Sequence, residues 1–217
     1  MPIDRPAPGP HEHPMSSPNL PPLPWSVAAG SHVAHFYETR DEWRAVMVPW
    51  LYQGLRAGEK CVYVMNAGRD WMDAREELIA AGIDVREALE SGRLEIREGC
   101  RDPRDLQGGL DAALAGVPGS WRSVRWGGDM LWARERVPSS GTLMSFESSM
   151  NTLCEHPVAF FCQYDLTRFP GYVIMDVLRT HPQSIIDGKL HTTPFHQPDA
   201  AFQSALRARE ASRDVPW

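Results

Sequence analysis

The apolar positions of the chain follow two alternating periods from residue 32 onward. Short apolar runs bounded by turn residues predict strands, for example "HVAHFY" (32–37), "KCVYVM" (60–65) and "PVAFFCQYD" (157–165). Between them, segments such as "DEWRAVMVPWLYQGL" (41–55) repeat apolar residues at helical spacing and predict amphipathic helices. This alternation predicts an α/β fold, a three-layer αβα sandwich around a mainly parallel central sheet.

The same patterns divide the chain into three regions. Residues 1–28 are rich in proline and polar side chains, so we predict a disordered tail. Residues 29–197 form the predicted folded domain, and 198–217 a C-terminal helix and tail. Within the domain, further strands are predicted at 93–98 and 123–130, a hairpin or edge strand at 184–191, and further helices at 70–82, 84–92, 103–117, 141–156 and 171–181.

Composition narrows the class of protein. The 217 residues are 42% hydrophobic and 23% charged, as expected of a globular domain that needs no disulfide or metal to fold. The net charge of −6 argues against direct nucleic-acid or anionic-membrane binding. No signal pattern and no membrane span is found, so we expect a cytoplasmic protein. None of the four cysteines forms a C-x-x-C pair, and Cys61 and Cys162 are interpreted as buried structural thiols.

The loop after the first predicted strand, "YETRDE", lacks the glycines and the lysine of a phosphate-binding loop. Lys60 and Lys189 are the only lysines in the sequence, and neither lies there. Glu38, Asp41 and Glu42 would instead face a triphosphate. We therefore predict a degenerate P-loop without an ATP site, and no cofactor is assigned beyond a suspected small organic ligand, neutral or cationic.

In parallel sheets, ligands bind beyond the carboxyl ends of the strands. Polar and aromatic residues near those ends are therefore the candidate ligand contacts: His35, Tyr37, Glu38, Trp126, Asp129, Trp132, Gln163, Tyr164 and Asp165. Two of them have equally good local explanations. Asp129 is suited to cap a helix, and Asp165 is suited to form a turn before Thr167.

The metal and catalytic alternatives are weaker. His32 and His35 are three apart on a predicted strand and so point to opposite faces, which disfavours a shared metal ion; no metal site is predicted. His181 lies at a predicted helix C-terminus, where the helix dipole favours a histidine. Arg179 is expected to pair with a carboxylate such as Asp129 or Glu147. No arrangement of nucleophile and base stands out, so no catalytic residue is assigned.

Several motifs together resemble one family, the MEDS sensory domains. They are "HVAHFYETRDE…VPWLYQGLRAGEKCVYV", "WGGDMLWA", "FESSMNTL", "FCQYDLTRFP" and "DVLRTHPQSIIDGKL". The resemblance implies a RecA/KaiC-like fold without a working P-loop, and the sensing of small molecules such as hydrocarbon derivatives. It also favours Glu147 and Asn151 as site residues, and Arg179 is counted as a further candidate ligand contact. Where the family usually has Gly-Glu-Met, this chain has Gly128, Asp129 and Met130, which shortens the carboxylate side chain.

Three functions remain open at this point. The first is a non-enzymatic, stand-alone sensory domain that binds a small organic ligand at the carboxyl end of the sheet. It would signal to a partner such as a kinase, an anti-sigma factor or a transcription regulator, or through a homodimer. The second is an enzyme that uses Glu147, Asp129 or Asp165, which requires these carboxylates to converge on one cavity. The third is a pure interaction module that docks through its C-terminal helix.

Overall fold

The computed structural model of the protein describes residues 20, 22–65, 69–99, 102–117 and 119–212. Over this part of the chain, the strands are β1 (His32–Tyr37), β2 (Lys60–Met65), β3 (Leu94–Glu98), β4 (Val124–Asp129), β5 (Val158–Asp165), β6 (Gln183–Ile186) and β7 (Lys189–Thr192). The α-helices are α1 (Arg40–Arg56), α2 (Arg69–Ala80), α3 (Val85–Glu90), α4 (Gln107–Ala115), α5 (Leu131–Arg136), α6 (Ser140–Met150), α7 (Gly171–Thr180) and α8 (Asp199–Ser212). Short 3-10 helices span Pro103–Leu106 and Asn151–Glu155.

The strands form one sheet in the order β3-β2-β4-β5-β1-β6-β7. Every neighbouring pair is parallel except β6 and β7, which form the antiparallel hairpin predicted at 184–191. Asp187 and Gly188 make its turn with positive φ angles of 51° and 69°. The predicted α/β class with a mainly parallel sheet is confirmed. None of the helices in the described ranges is long and apolar enough to cross a membrane.

The sheet separates two apolar cores. Side chains of α1, α2 and α3 pack on one side of it, which we call the α1 face. Side chains of α4 to α8 pack on the other side, the α6 face. Because side chains of a strand alternate, β1 sends His35 and Tyr37 to the α1 face and His32 to the α6 face. The three-layer arrangement therefore gives every central strand two distinct surroundings.

One sequence-based boundary needs correction, and one helix was missed. Most of the predicted tail lies outside the described residues, but its end does not. Trp25 donates a hydrogen bond of 2.9 Å to the carbonyl of Gly188, its ring stacks on Phe161 at 6.3 Å, and Val27 is buried. The ordered domain therefore begins before residue 29. The short helix α5 was not predicted, since its six residues are too few to show a helical period of apolar positions.

Glycine at position 128 lets two central strands approach each other closely. A Cβ atom there would overlap the backbone of Val64 on β2, which cannot move without disturbing the sheet. We expect Gly128→Ala to lower the free energy of unfolding by about 1–3 kcal/mol. Urea denaturation checks this. Gly108→Ala is the control, because Gly108 is an exposed residue of α4 with open space around it. That variant should gain about 0.5–1 kcal/mol; equal effects at both positions would contradict the packing described.

Candidate functional site

The junction between β1 and α1 carries no phosphate cradle. Only Glu38 and Thr39 separate the two elements. The Thr39 hydroxyl accepts a 3.2 Å hydrogen bond from the Glu42 backbone N–H, and the Glu42 carboxylate accepts one of 2.8 Å from the Glu38 N–H. This is a capping box, in which the chain's own carboxylate binds an amide at the helix start. The segment "YETRDE", which was predicted to be a degenerate P-loop, thus forms the end of β1 and the self-capped start of α1.

On the α1 face, the predicted ligand residues bind one another. The Tyr37 hydroxyl donates a 2.8 Å hydrogen bond to Asp129, which also accepts one of 2.9 Å from the Leu131 N–H. Asp129 therefore contacts the first residue of α5, although the N-cap residue of that helix is Met130. The Gln163 amide lies 2.9 Å from Nδ1 of His35. These side chains are buried and hold the carboxyl ends of β1, β4 and β5 together.

The more exposed candidates make local contacts. Glu38 lies in the exposed turn before α1. Asp165 accepts hydrogen bonds of 2.8 Å and 2.6 Å from the N–H and hydroxyl of Thr167, as the turn alternative predicted. Arg179 pairs with Asp176 at 2.8 Å. The predicted pairing of Arg179 with Asp129 or Glu147 is wrong, because Asp176 lies one helical turn away and on the same side of α7.

A cavity of about 30 Å³ lies on the α6 face, between the sheet and α6. Its wall is mostly aromatic or thioether, with Gly127 and Gly128 on the strand side; Trp126, Trp132, Phe146, Met150 and Phe160 contribute the large side chains. Glu147 and Cys162 form a polar portion of the same wall. Of the predicted ligand residues, the structure brings Trp126, Trp132 and Glu147 to this cavity. It lies beneath the carboxyl half of β4, on one side of the sheet, and not beyond the strand ends.

Next to the cavity, four side chains from β1, α6, β5 and the end of α7 converge: His32, Glu147, Cys162 and His181. The carboxylate oxygen Oε2 of Glu147 lies 3.2 Å from Nε2 of His32 and 3.4 Å from Nε2 of His181. The sulfur of Cys162 lies 3.6 Å from the same oxygen and 3.7 Å from Nε2 of His32. We refer to these four residues as the α6-face cluster.

The outer nitrogens of both imidazoles are fixed by further contacts. Nδ1 of His32 lies 3.0 Å from the side-chain oxygen of Asn151, and Nδ1 of His181 lies 2.9 Å from the carbonyl of Val177. Asn151 donates through its amide nitrogen to the carbonyl of Thr180 and to Asp199, both at 2.9 Å. The ring of Tyr164 packs edge-on against His181, with centroids 6.0 Å apart. Asn151 and Tyr164, both predicted as ligand contacts, thus lie beside the α6-face cluster and do not line the cavity.

Burial and the neighbouring side chains together shift the pKa values of these groups. Burial alone would raise the pKa of Glu147, but the imidazoles of His181 and His32 lower it to about 2. Burial and the adjacent His32 lower the pKa of His181 to about 4. Removal from water and the Glu147 carboxylate raise the pKa of Cys162 well above its usual range. On the α1 face, burial lowers the pKa of His35 to about 3 and burial raises that of Cys61 to about 12.

Sequence reasoning had placed His32, Cys162 and His181 outside the site. It correctly put His32 and His35 on opposite faces, since they contact Glu147 and Gln163 respectively. The signal it did not use was alternation along β5, which puts Cys162 on the face opposite Gln163. His181 offered no comparable signal, because its position at a helix end already had a sufficient explanation.

Comparison with known proteins gives a family and a fold. Residues 31–182 match the family described as MEDS, the "MEthanogen/methylotroph, DcmR Sensory domain". The transcriptional repressor DcmR of Methylorubrum extorquens is 26% identical over 159 residues, which is 71% of this chain. The chain spans 59% of the length of that relative.

Solved structures agree with the architecture. The flagellar accessory protein FlaH from Methanocaldococcus jannaschii superimposes with a TM-score of 0.54 at 14% identity, over 77% of this chain and 78% of that one. A KaiC-like protein from Pyrococcus horikoshii gives 0.53 at 16% identity, over 72% and 70%. Identities this low establish the fold alone. The RecA/KaiC-like fold implied by the sequence motifs is confirmed.

The depressed pKa of His35 predicts how stability depends on pH. An unfolded histidine binds a proton below pH 6.5, whereas His35 in the folded protein stays neutral down to about pH 3. Stability should therefore fall as pH drops through this window, by about 1.4 kcal/mol per pH unit from this residue. His35→Asn keeps an acceptor for Gln163 but cannot titrate, so the pH dependence of its unfolding free energy should be shallower by that amount.

Urea unfolding between pH 4 and pH 7 measures this difference. His191→Asn is the matched control, because His191 is exposed on β7, and its pH dependence should equal that of the wild type. An unchanged slope in His35→Asn would contradict a neutral, buried His35.

Proposed function

Because the chain belongs to the MEDS family of sensory domains, we propose that it binds a small organic molecule in the cavity beneath α6 and signals to a partner protein. The observation that carries this proposal is the apolar cavity itself, which has a carboxylate, Glu147, in its wall. A mostly apolar pocket with a few polar groups is the usual form of a small-molecule site. On the α1 face, by contrast, Tyr37 hydrogen-bonds to Asp129 and the Gln163 amide contacts His35.

The size and lining of the cavity define the class of ligand. A volume of about 30 Å³ holds no more than one or two water-sized groups without movement of the walls. Trp126, Phe146, Met150 and Phe160 favour an apolar or polarisable molecule. Glu147 provides a single acceptor. We therefore expect a compound of one or two carbon atoms, halogenated or carrying one hydrogen-bond donor.

Helix α6 is the proposed route of the signal. It lies between the cavity and α8, where the Ser145 hydroxyl donates to Gln203 at 3.0 Å and the Gln203 amide donates to the Ser145 carbonyl at 2.8 Å. Arg209 of α8 also pairs with Asp176 of α7 at 2.8 Å. A ligand that displaces α6 must therefore strain or shift α8, whose outer face is exposed. A partner on α8, such as a transcription regulator, a kinase, an anti-sigma factor or a second copy of this chain, would detect that shift.

A catalytic function is not part of this proposal. Asp129 lies on the α1 face with Tyr37, Asp165 lies in a turn, and Glu147 lies on the α6 face. The three carboxylates thus do not meet at one cavity, which the enzyme hypothesis requires. The proposed role is recognition of a ligand without its conversion.

Filling the cavity should abolish ligand binding. Val64→Leu adds one methylene to the strand side of the wall, which removes space comparable to the cavity itself. We expect dichloromethane or a similar one-carbon halide to raise the melting temperature of the wild type and to shift its tryptophan indole NMR signals. Both effects should disappear in Val64→Leu.

Met150→Leu is the control for this experiment, because it changes the same wall at nearly constant volume and should keep the binding. Halides, short alcohols and short amines of one or two carbons form the panel. If no member stabilises the wild type, or if Val64→Leu responds equally, the cavity is not the ligand site.

The self-capped start of α1 predicts that Mg-ATP neither binds nor is hydrolysed. A ligand at one hundred times its dissociation constant would add about 2.7 kcal/mol of stability, an effect that thermal denaturation detects readily. We expect no shift in melting temperature at millimolar Mg-ATP and no phosphate release. Hydrolysis that survives repurification and is reduced by Glu147→Gln would favour the enzyme hypothesis instead.

A further inference from the structure

We propose that His32, Glu147, Cys162 and His181, the α6-face cluster, bind a divalent transition-metal ion of the zinc type. One donor atom from each residue lies within 4.8 Å of all the others. Three of the side chains are buried and Cys162 is partly buried. This inference goes beyond the proposed sensory function and does not depend on any organic ligand.

The distances suit tetrahedral coordination. Bonds of about 2.0–2.3 Å to nitrogen, oxygen and sulfur place neighbouring donors of a tetrahedron roughly 3.3–3.7 Å apart. Glu147 Oε2 lies 3.2 Å and 3.4 Å from the two imidazole nitrogens. The contacts of Cys162 with Glu147 and His32 are 3.6 Å and 3.7 Å. Four of the six distances between donor atoms thus suit one tetrahedral ion, and all six are within 4.8 Å.

The outer contacts favour a proton on Nδ1 of each imidazole. Nδ1 of His181 lies 2.9 Å from the Val177 carbonyl, which only accepts, and 3.0 Å from the Thr180 hydroxyl. The amide nitrogen of Asn151 donates to Thr180 and Asp199, which leaves its oxygen to accept from Nδ1 of His32. Hydrogen bonds of this kind, made by the ring nitrogen that does not face the metal, orient metal-binding histidines.

With Nδ1 as the donor, Nε2 of each ring faces the same carboxylate oxygen. Without a positive charge between them, these three atoms would be acceptors that repel one another; a proton or a metal ion supplies that charge. Nε2 of His181 forms no hydrogen bond among the described residues, although Glu147 is within 3.4 Å. A proton would relieve one such pair. A metal ion relieves both and also uses the sulfur of Cys162.

The donor set selects the class of metal. Two imidazoles, one thiolate and one carboxylate suit Zn²⁺ and also accept Co²⁺ or Fe²⁺, whereas Mg²⁺ and Ca²⁺ prefer oxygen donors alone. Two neutral histidines, a carboxylate and a thiolate bring two negative charges, which a divalent ion neutralises. The resulting centre has no net charge, as its position in the apolar layer requires.

The metal content of the full-length chain, purified without chelators, tests this proposal. We expect about one zinc ion per chain, measured by inductively coupled plasma mass spectrometry. Removal of zinc and addition of Co²⁺ should give the visible absorption of a tetrahedral site and a thiolate-to-cobalt charge-transfer band. Cys162→Ser should lose that band, and His181→Asn should lose bound zinc. Asn151→Ala, which removes a positioning residue, should weaken zinc binding about 10–100-fold.

Matched controls come from the α1 face. Cys61→Ser and His35→Asn change a buried cysteine and a buried histidine on the other side of the sheet, and both should keep the metal and the cobalt spectrum. A wild-type protein that takes up neither Zn²⁺ nor Co²⁺ at equimolar concentration would overturn the proposal. So would Co²⁺ binding without a thiolate band, a result that needs no variant to fold. Equal zinc content in Cys162→Ser, His181→Asn and the controls would overturn it as well.

Discussion

The buried carboxylate of Glu147 is the constraint around which the α6 side of the molecule is arranged. An ionised carboxylate in an apolar layer is costly unless positive charge or hydrogen bonds compensate it. Its side chain is only 1% exposed, and β1, β5 and α7 each place a nitrogen or sulfur atom against it. These contacts tie α6 to the sheet at one point, directly beside the cavity.

The parallel sheet is what makes this arrangement possible. Alternation along β1 and β5 sorts their polar side chains into two groups that do not meet. His35 and Gln163 hold the strands together on the α1 face, and His32 and Cys162 face Glu147 on the other. The fold thus keeps the carboxyl ends of its strands as structure. The proposed recognition site lies on one side of the sheet instead, against α6.

The sequence was sufficient for the fold and for the lost phosphate loop, because both depend on local patterns. Apolar periods specify strands and helices, and "YETRDE" contains the capping box formed by Thr39 and Glu42. The site depends on relations that no local pattern contains. The approach of His32 to Glu147 requires the register of β1 and the rotation of α6. Arg179 was assigned to a distant carboxylate, whereas Asp176 of its own helix takes it. Trp126 and Trp132 were predicted near the end of the fourth strand, and both lie in the cavity wall, because aromatic residues within or just after a strand are recognisable without such relations.

The central claim is that the α6 side of the sheet, and not the carboxyl edge, is the working site of this domain. Anomalous diffraction from crystals of cell-purified protein, recorded on either side of the zinc absorption edge, tests it most directly. The account predicts one peak within bonding distance of Glu147 Oε2 and of Nε2 in His32 and His181. The account would be contradicted by a map without an anomalous peak at this position, in which the four side chains contact one another directly and protein atoms fill the adjacent cavity.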